Sequence, residues 1–196
     1  MLFRSGCVNA PASDQRGHMA ASLKKHKAAA VGITIIKANE ITWMGTFGEQ
    51  APGVAATSTT MFNVASLAKP ITAEVAMRLI SAGKISLDES ISDAWIDPDI
   101  ANDPRHKKLT PRLLLSHQTG FPNWRFQNKD KKLAFSTDPG NGFTYSGEGY
   151  EYLRRFMEKK TGKSFEALAA EIVFAPIGMT SASFSDRSWI DRKSVV

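Results

Sequence analysis

Phe62-Asn63-Val64-Ala65-Ser66-Leu67-Ala68-Lys69-Pro70 sets a serine three residues before a lysine at what reads as the start of a helix. Residues three apart share a helix face, so the Lys69 amine is within reach of the Ser66 hydroxyl and of its proton, which is the chemistry of acyl transfer. The flanks support a helix start. A polar run, Thr57-Ser58-Thr59-Thr60, precedes the short apolar run Met61 to Val64, and Ile71, Val75, Ala76, Leu79 and Ile80 follow at helical spacing until Gly83. A serine there also sits where unpaired backbone N–H groups can hold an oxyanion. The competing local reading makes Ser66 an ordinary N-cap and Lys69 a solvated first-turn residue. The spacing alone does not decide, because about one such pair is expected by chance in a chain of this length. Ser22 with Lys25 and Ser81 with Lys84 repeat it, one in a basic, alanine-rich segment and the other across Gly83.

The 196 residues are 42% hydrophobic, enough for one domain with a sizeable core. No apolar run reaches the length of a membrane span. Residues 1–19 carry Gly6, Pro11 and Gly17 without periodicity and read as a disordered leader before a domain over 20–190 and a tail over 191–196. Ser5-Gly6-Cys7 has the small-residue approach to a lipoprotein cysteine, but Arg4 and the missing apolar segment argue against it. The net charge of +6 raises nucleic acid as a partner. The basic clusters 24–27, 105–108, 129–132 and 159–160 fall in different predicted elements without interleaved aromatics, so solvated faces explain them and no nucleic acid is expected. Four scattered histidines and the lone Cys7 give no metal-ligand spacing; neither a metal nor an organic cofactor is expected.

Along the chain, a helix over about Gly17 to Lys27 leads into Val31 to Lys37 and Ile41 to Gly48, two β-rich runs around Ala38-Asn39-Glu40 that read as an antiparallel hairpin. After the Ser66 helix, Thr110 and Pro111 mark an N-cap and first helical residue. Phe121 to Phe143 reads as a long loop. Helices follow near Glu148 to Lys160, with Tyr152, Leu153, Phe156 and Met157 on one face, and near Ser164 to Phe174, with Phe165, Leu168 and Ile172 buried. Two strands make a marginal sheet for so many helices, and the last residues close no periodic element, so the sheet reads as incomplete.

Several segments in order resemble the serine β-lactamase and penicillin-binding protein superfamily, in particular its class C-like branch of D-alanyl-D-alanine carboxypeptidases and β-lactamase-fold esterases. Phe62 to Thr72 is similar to the nucleophile block and Ala82 to Glu89 to the end of the following helix. Leu113 to Pro122 resembles the leucine-rich block that runs through His117 to Gly120. Tyr145-Ser146-Gly147 is similar to the second catalytic motif, and Ala175 to Thr180 to the loop before the remaining strands. The resemblance implies that Ser66 is acylated, that Lys69, its proton affinity lowered by burial and nearby charge, is the base, and that Tyr145 is a second proton shuttle made more acidic beside Lys69. It implies an α/β (α+β) β-lactamase-like fold, an antiparallel sheet with a helical subdomain and with its C-terminal strands missing, a substrate with a reactive carbonyl, whether amide, β-lactam or ester, and a bacterial extracytoplasmic location without a complete signal segment in this chain. A core tyrosine is the bland reading of Tyr145, and His117 reads as structural.

Two departures bear on function. The second motif usually reads Tyr-x-Asn, and here Gly147 removes the amide that contacts a substrate's acylamino group, which weakens the antibiotic and peptidoglycan readings more than the esterase one. The third motif, a Lys/His-x-Gly triad on a later strand, belongs beyond Thr180 and is missing; Gln118-Thr119-Gly120 resembles it but precedes Tyr145. Loss of one oxyanion donor costs roughly 2.7–4 kcal/mol of transition-state stabilisation, so a crippled enzyme is one expectation. The alternative is a non-catalytic module of the same fold that binds a cell-wall peptide or a protein. No Gly-x-Ser-x-Gly elbow occurs, and Gly162-Lys163-Ser164 lacks the first glycine of a phosphate loop. Oligomeric state stays open.

Overall fold

The structure is a computed structural model that describes residues 13–184, so Cys7 and the segments before Ser13 and after Phe184 lie outside it. The chain divides after Asn63 into two compact units.

In the first unit, helix α1 (Ser13–His26) begins four residues earlier than its periodicity suggests. Strands β1 (Ala30–Lys37) and β2 (Glu40–Ala51) pair antiparallel, with Ile33 opposite Gly45 and Ile35 opposite Trp43. The turn is tighter than the sequence indicates. Ala38 and Asn39 alone make it, both at positive φ, as a two-residue turn that follows the right-handed twist of the strands requires. The predicted hairpin gains a third strand, β3 (Val54–Ala55), which returns along β2. Two residues are too few to leave a periodic signal. Ile36 and Met44 stay exposed on this sheet.

The second unit holds the buried core and the remaining helices. Helix α2 (Lys69–Ser81) carries Pro70 in its first turn, where a missing N–H costs nothing, and buries Val75, Ala76 and Leu79. Helix α3 (Pro111–Leu115) starts as its sequence predicts: the Leu113 N–H donates to the Thr110 hydroxyl and Pro111 is the first helical residue. Helix α4 (Gly147–Thr161) is capped by Ser146, whose hydroxyl accepts from the Gly149 N–H, and ends at Gly162, whose left-handed conformation suits a residue without a Cβ. Tyr152, Leu153, Phe156 and Met157 form its buried face, as the spacing requires. Helix α5 (Phe165–Ala169) runs on as one π-helical turn over Ala170–Phe174, which rotates Val173 and Phe174 inward and leaves Ile172 only partly covered. The core of this unit is closed by Ile91, Leu109, Leu114 and Phe121.

The long loop is less irregular than its composition suggests. Leu133 and Phe135 are buried, and Arg125 ties it down by ion pairs to Asp97 (2.8 Å), Asp99 (3.0 Å) and Glu148 (2.8 Å). The carboxylates are further satisfied, Asp97 by the Asp99 N–H, Asp99 by the Leu133 N–H and Glu148 by the Arg125 N–H. Such completeness is what a buried ionic cluster needs to be tolerated. Glu148 lies in the first turn of α4, so the cluster anchors the loop to the helix that follows Tyr145.

Candidate active site

Ser66 sits in a 3₁₀ turn (Ala65–Ala68) that feeds α2, whose own N-cap is Ala68. The N-cap reading of Ser66 therefore does not hold for α2. In a 3₁₀ turn side chains at i and i+3 eclipse, and across this junction Lys69 Nζ lies 3.0 Å from Ser66 Oγ. Ala65, immediately before Ser66, has φ +43, an uncommon conformation for a residue with a Cβ, and Ser66 is exposed. Its backbone N–H belongs to the first turn, where N–H groups have no partner within the helix.

Tyr145 reaches the same point from the stretch just before α4. Its ring lies 4.9 Å from the Lys69 amine, and Lys69, followed by Ser66, holds the phenol below its usual value of 10. Lys69 Nζ lies 4.9 Å from the Tyr145 ring centroid and 5.6 Å from that of Tyr150, whose hydroxyl donates to the Leu115 carbonyl. Two tyrosine faces thus flank the amine. The structure brings all three predicted site residues together.

His117 lies behind them. At φ +56 it turns the chain after α3, its carbonyl accepts from the Thr144 N–H (2.8 Å), and its Nδ1 accepts from the Ser146 N–H (3.0 Å). Tyr145 is therefore held through both of its neighbours, and the imidazole also packs on its ring at 4.6 Å. The structural reading of His117 agrees with these bonds. Burial, then the charge of Lys69, pushes its pKa below 6.5, and the Ser146 N–H, which donates to the Nδ1 lone pair, also favours the neutral ring. Protonation at Nδ1 would set one N–H against another. Because the folded pKa is depressed, the folded state binds fewer protons than the unfolded chain below pH 6.5. The His117-linked stability is therefore full above pH 6.5 and declines as pH falls through the folded pKa. NMR titration of the His117 ring should give a midpoint below 6.5, and urea unfolding should show a loss on acidification that His117→Asn removes. A midpoint at or above 6.5 would contradict the arrangement.

The other Ser-x-x-Lys pairs do not sit at a junction of this kind. Ser22 lies within α1, and Ser81 is the last residue of α2, with Lys84 beyond the turn. Gln118-Thr119-Gly120 forms a closed turn: the Phe121 N–H donates to Thr119 Oγ1 and the Gly120 carbonyl accepts from Ser136 N–H. Among the described residues no helix is long and apolar enough to cross a membrane.

A family model described as Beta-lactamase matches residues 16–192. The chain belongs to the beta-lactamase family. Within the family it is 30% identical to "Penicillin-binding protein 4*" of Bacillus subtilis (strain 168) over 65% of this chain and 31% of that protein. It is 27% identical to "Esterase EstB" of Burkholderia gladioli over 64% of this chain and 38% of that protein. The structure titled "A class C beta-lactamase" superposes with a TM-score of 0.75 at 18% identity, covering 95% of this chain and 54% of that one, which shows the shared fold. This beta-lactamase-family chain spans about a third of the length of the curated relatives it matches. Within its family-like site, sequence reasoning passed over Tyr150 as a wall of the Lys69 pocket, since nothing in its spacing separates it from the apolar face of α4. It also passed over Arg125, which ties the loop to the helix after Tyr145 from a segment without periodicity.

Proposed function

We propose that the chain carries the nucleophile and base of a serine hydrolase that works through an acyl-enzyme. The observation that carries the reading is the meeting of three groups: Lys69 Nζ lies 3.0 Å from Ser66 Oγ and 4.9 Å from the Tyr145 ring centroid. Ser66 Oγ attacks the substrate carbonyl while its proton passes to the Lys69 amine. The oxyanion takes a bond from the Ser66 N–H, and collapse expels an alcohol or amine that receives the proton through Tyr145. Water then attacks the Ser66 ester, the proton route runs in reverse, and the acid leaves.

An ester is the preferred substrate class. Gly147 offers no side-chain amide to an acylamino group, a deficit that an ester does not feel. The likeness to penicillin-binding proteins and an esterase supports a small-molecule or peptide substrate with a reactive carbonyl and an extracytoplasmic setting. Incubation with benzylpenicillin and, separately, with a 4-nitrophenyl ester, compared with Ser66→Ala, tests the class by released product. Faster Ser66-dependent release from the ester is expected. Release from penicillin alone would reverse the substrate assignment, and Ser66-independent release from both would remove the hydrolase reading in favour of a binding module.

A further inference from the structure

A side chain at position 147 has nowhere to go. A Cβ built on Gly147 would lie 2.5 Å from Trp124 Cζ2, 2.6 Å from Cη2 and 2.8 Å from Cε2, so the indole fills the space that an asparagine there would need. The indole's backbone is fastened to the start of α4. The Ser146 hydroxyl donates to the Pro122 carbonyl, the Gly147 N–H to Asn123 Oδ1, and the Glu148 N–H to the Asn123 carbonyl. The Arg125 N–H donates to Glu148, and the Trp124 N–H to Gln127 Oε1. Only rotation of the ring itself is left to make room.

Phe126 continues this surface, stacked on Trp124 at 6.2 Å with planes 11° apart and 65% exposed. Ser146 is extended (φ −139°, ψ 117°), so positions 145 and 147 project to the same side of the chain, and the apolar shelf that begins at Gly147 lies on the side to which Tyr145 points. We propose that Trp124, resting on Gly147, determines the substrate class of the Ser66 site: it receives the apolar acyl chain of an ester and stands where an acylamino-binding amide would otherwise reach. The inference rests on the acyl-enzyme reading above. The ring faces of Trp124, partly covered, and Phe126, exposed, offer burial to alkyl groups.

The ratio of Ser66 acylation rates for 4-nitrophenyl hexanoate over 4-nitrophenyl acetate, followed by intact mass, is expected to fall about tenfold in Trp124→Ala, the scale of a lost methylene contact in an apolar pocket. Trp124→Gln, which keeps bulk but not the apolar face, gives the same fall should the alanine variant not fold. An unchanged ratio in a folded variant overturns the assignment. Calorimetric binding of N-phenylhexanamide to Ser66→Ala protein reads the shelf without chemistry. Affinity about tenfold weaker after adding Trp124→Ala supports the proposal, and equal affinity overturns it. If no ester acylates Ser66, the hydrolase reading fails, and the calorimetric comparison alone decides the role of Trp124.

Discussion

Lys69→Met lowers the rate of Ser66 acylation by an activated ester about 10²–10⁴-fold, the range that a positioned general base supplies. Methionine keeps much of the length and apolar contact of the lysine between the Tyr145 and Tyr150 rings but cannot accept the Ser66 proton 3.0 Å away. Tyr145 also loses the side chain that does most to hold its phenol down, so its ionisation should move back toward 10 in a spectrophotometric titration. The two readouts separate catalysis from folding. A Lys69→Met protein with normal thermal unfolding and an acylation rate within threefold of the parent would show that Lys69 is not the base.

Arg125→Met should be the most destabilising single change in the second unit, by about 3–5 kcal/mol, because it leaves buried carboxylates without their cation. Asp97 and Glu148 side chains are only 5% and 7% exposed, and both bond to the same guanidinium. That arginine's own proton is held more tightly than usual, chiefly by its bonds to Glu148. Methionine replaces the stem and none of the five donors. The midpoint of urea unfolding reports the loss directly. The same variant should loosen Trp124 and the start of α4, since Arg125 joins the loop to Glu148 through its backbone N–H as well as its side chain. A loss under about 1 kcal/mol would mean that solvent reaches the cluster and that the pairs have the small value of surface ion pairs.

Helices were legible where burial follows a strict period. Val75 and Leu79 in α2, and Tyr152 to Met157 in α4, announced themselves because one face must meet a core. Thr110-Pro111 was legible for a different reason, since a hydroxyl before proline answers the unpaired N–H groups of a helix start. The site was legible through Ser66 and Lys69 because their separation is local, while the arrival of Tyr145 rests on seventy-six further residues of chain and came from ordered resemblance. Long-range ionic and aromatic contacts leave no such trace. Nothing near Arg125 in sequence points to Asp97 or Glu148, and nothing near Gly147 points to Trp124. The two-residue strand β3 and the π turn after Ala169 depart from any repeating pattern, so periodicity could not anticipate them.

Intact-protein mass after brief exposure to an activated short-chain ester, with tandem mass spectrometry to locate the acyl group and Ser66→Ala as control, addresses the acyl-enzyme most directly. One acyl group per chain on Ser66, absent from the control, is the predicted result. Folded protein that carries no acyl group, or carries it equally in Ser66→Ala, would contradict the account.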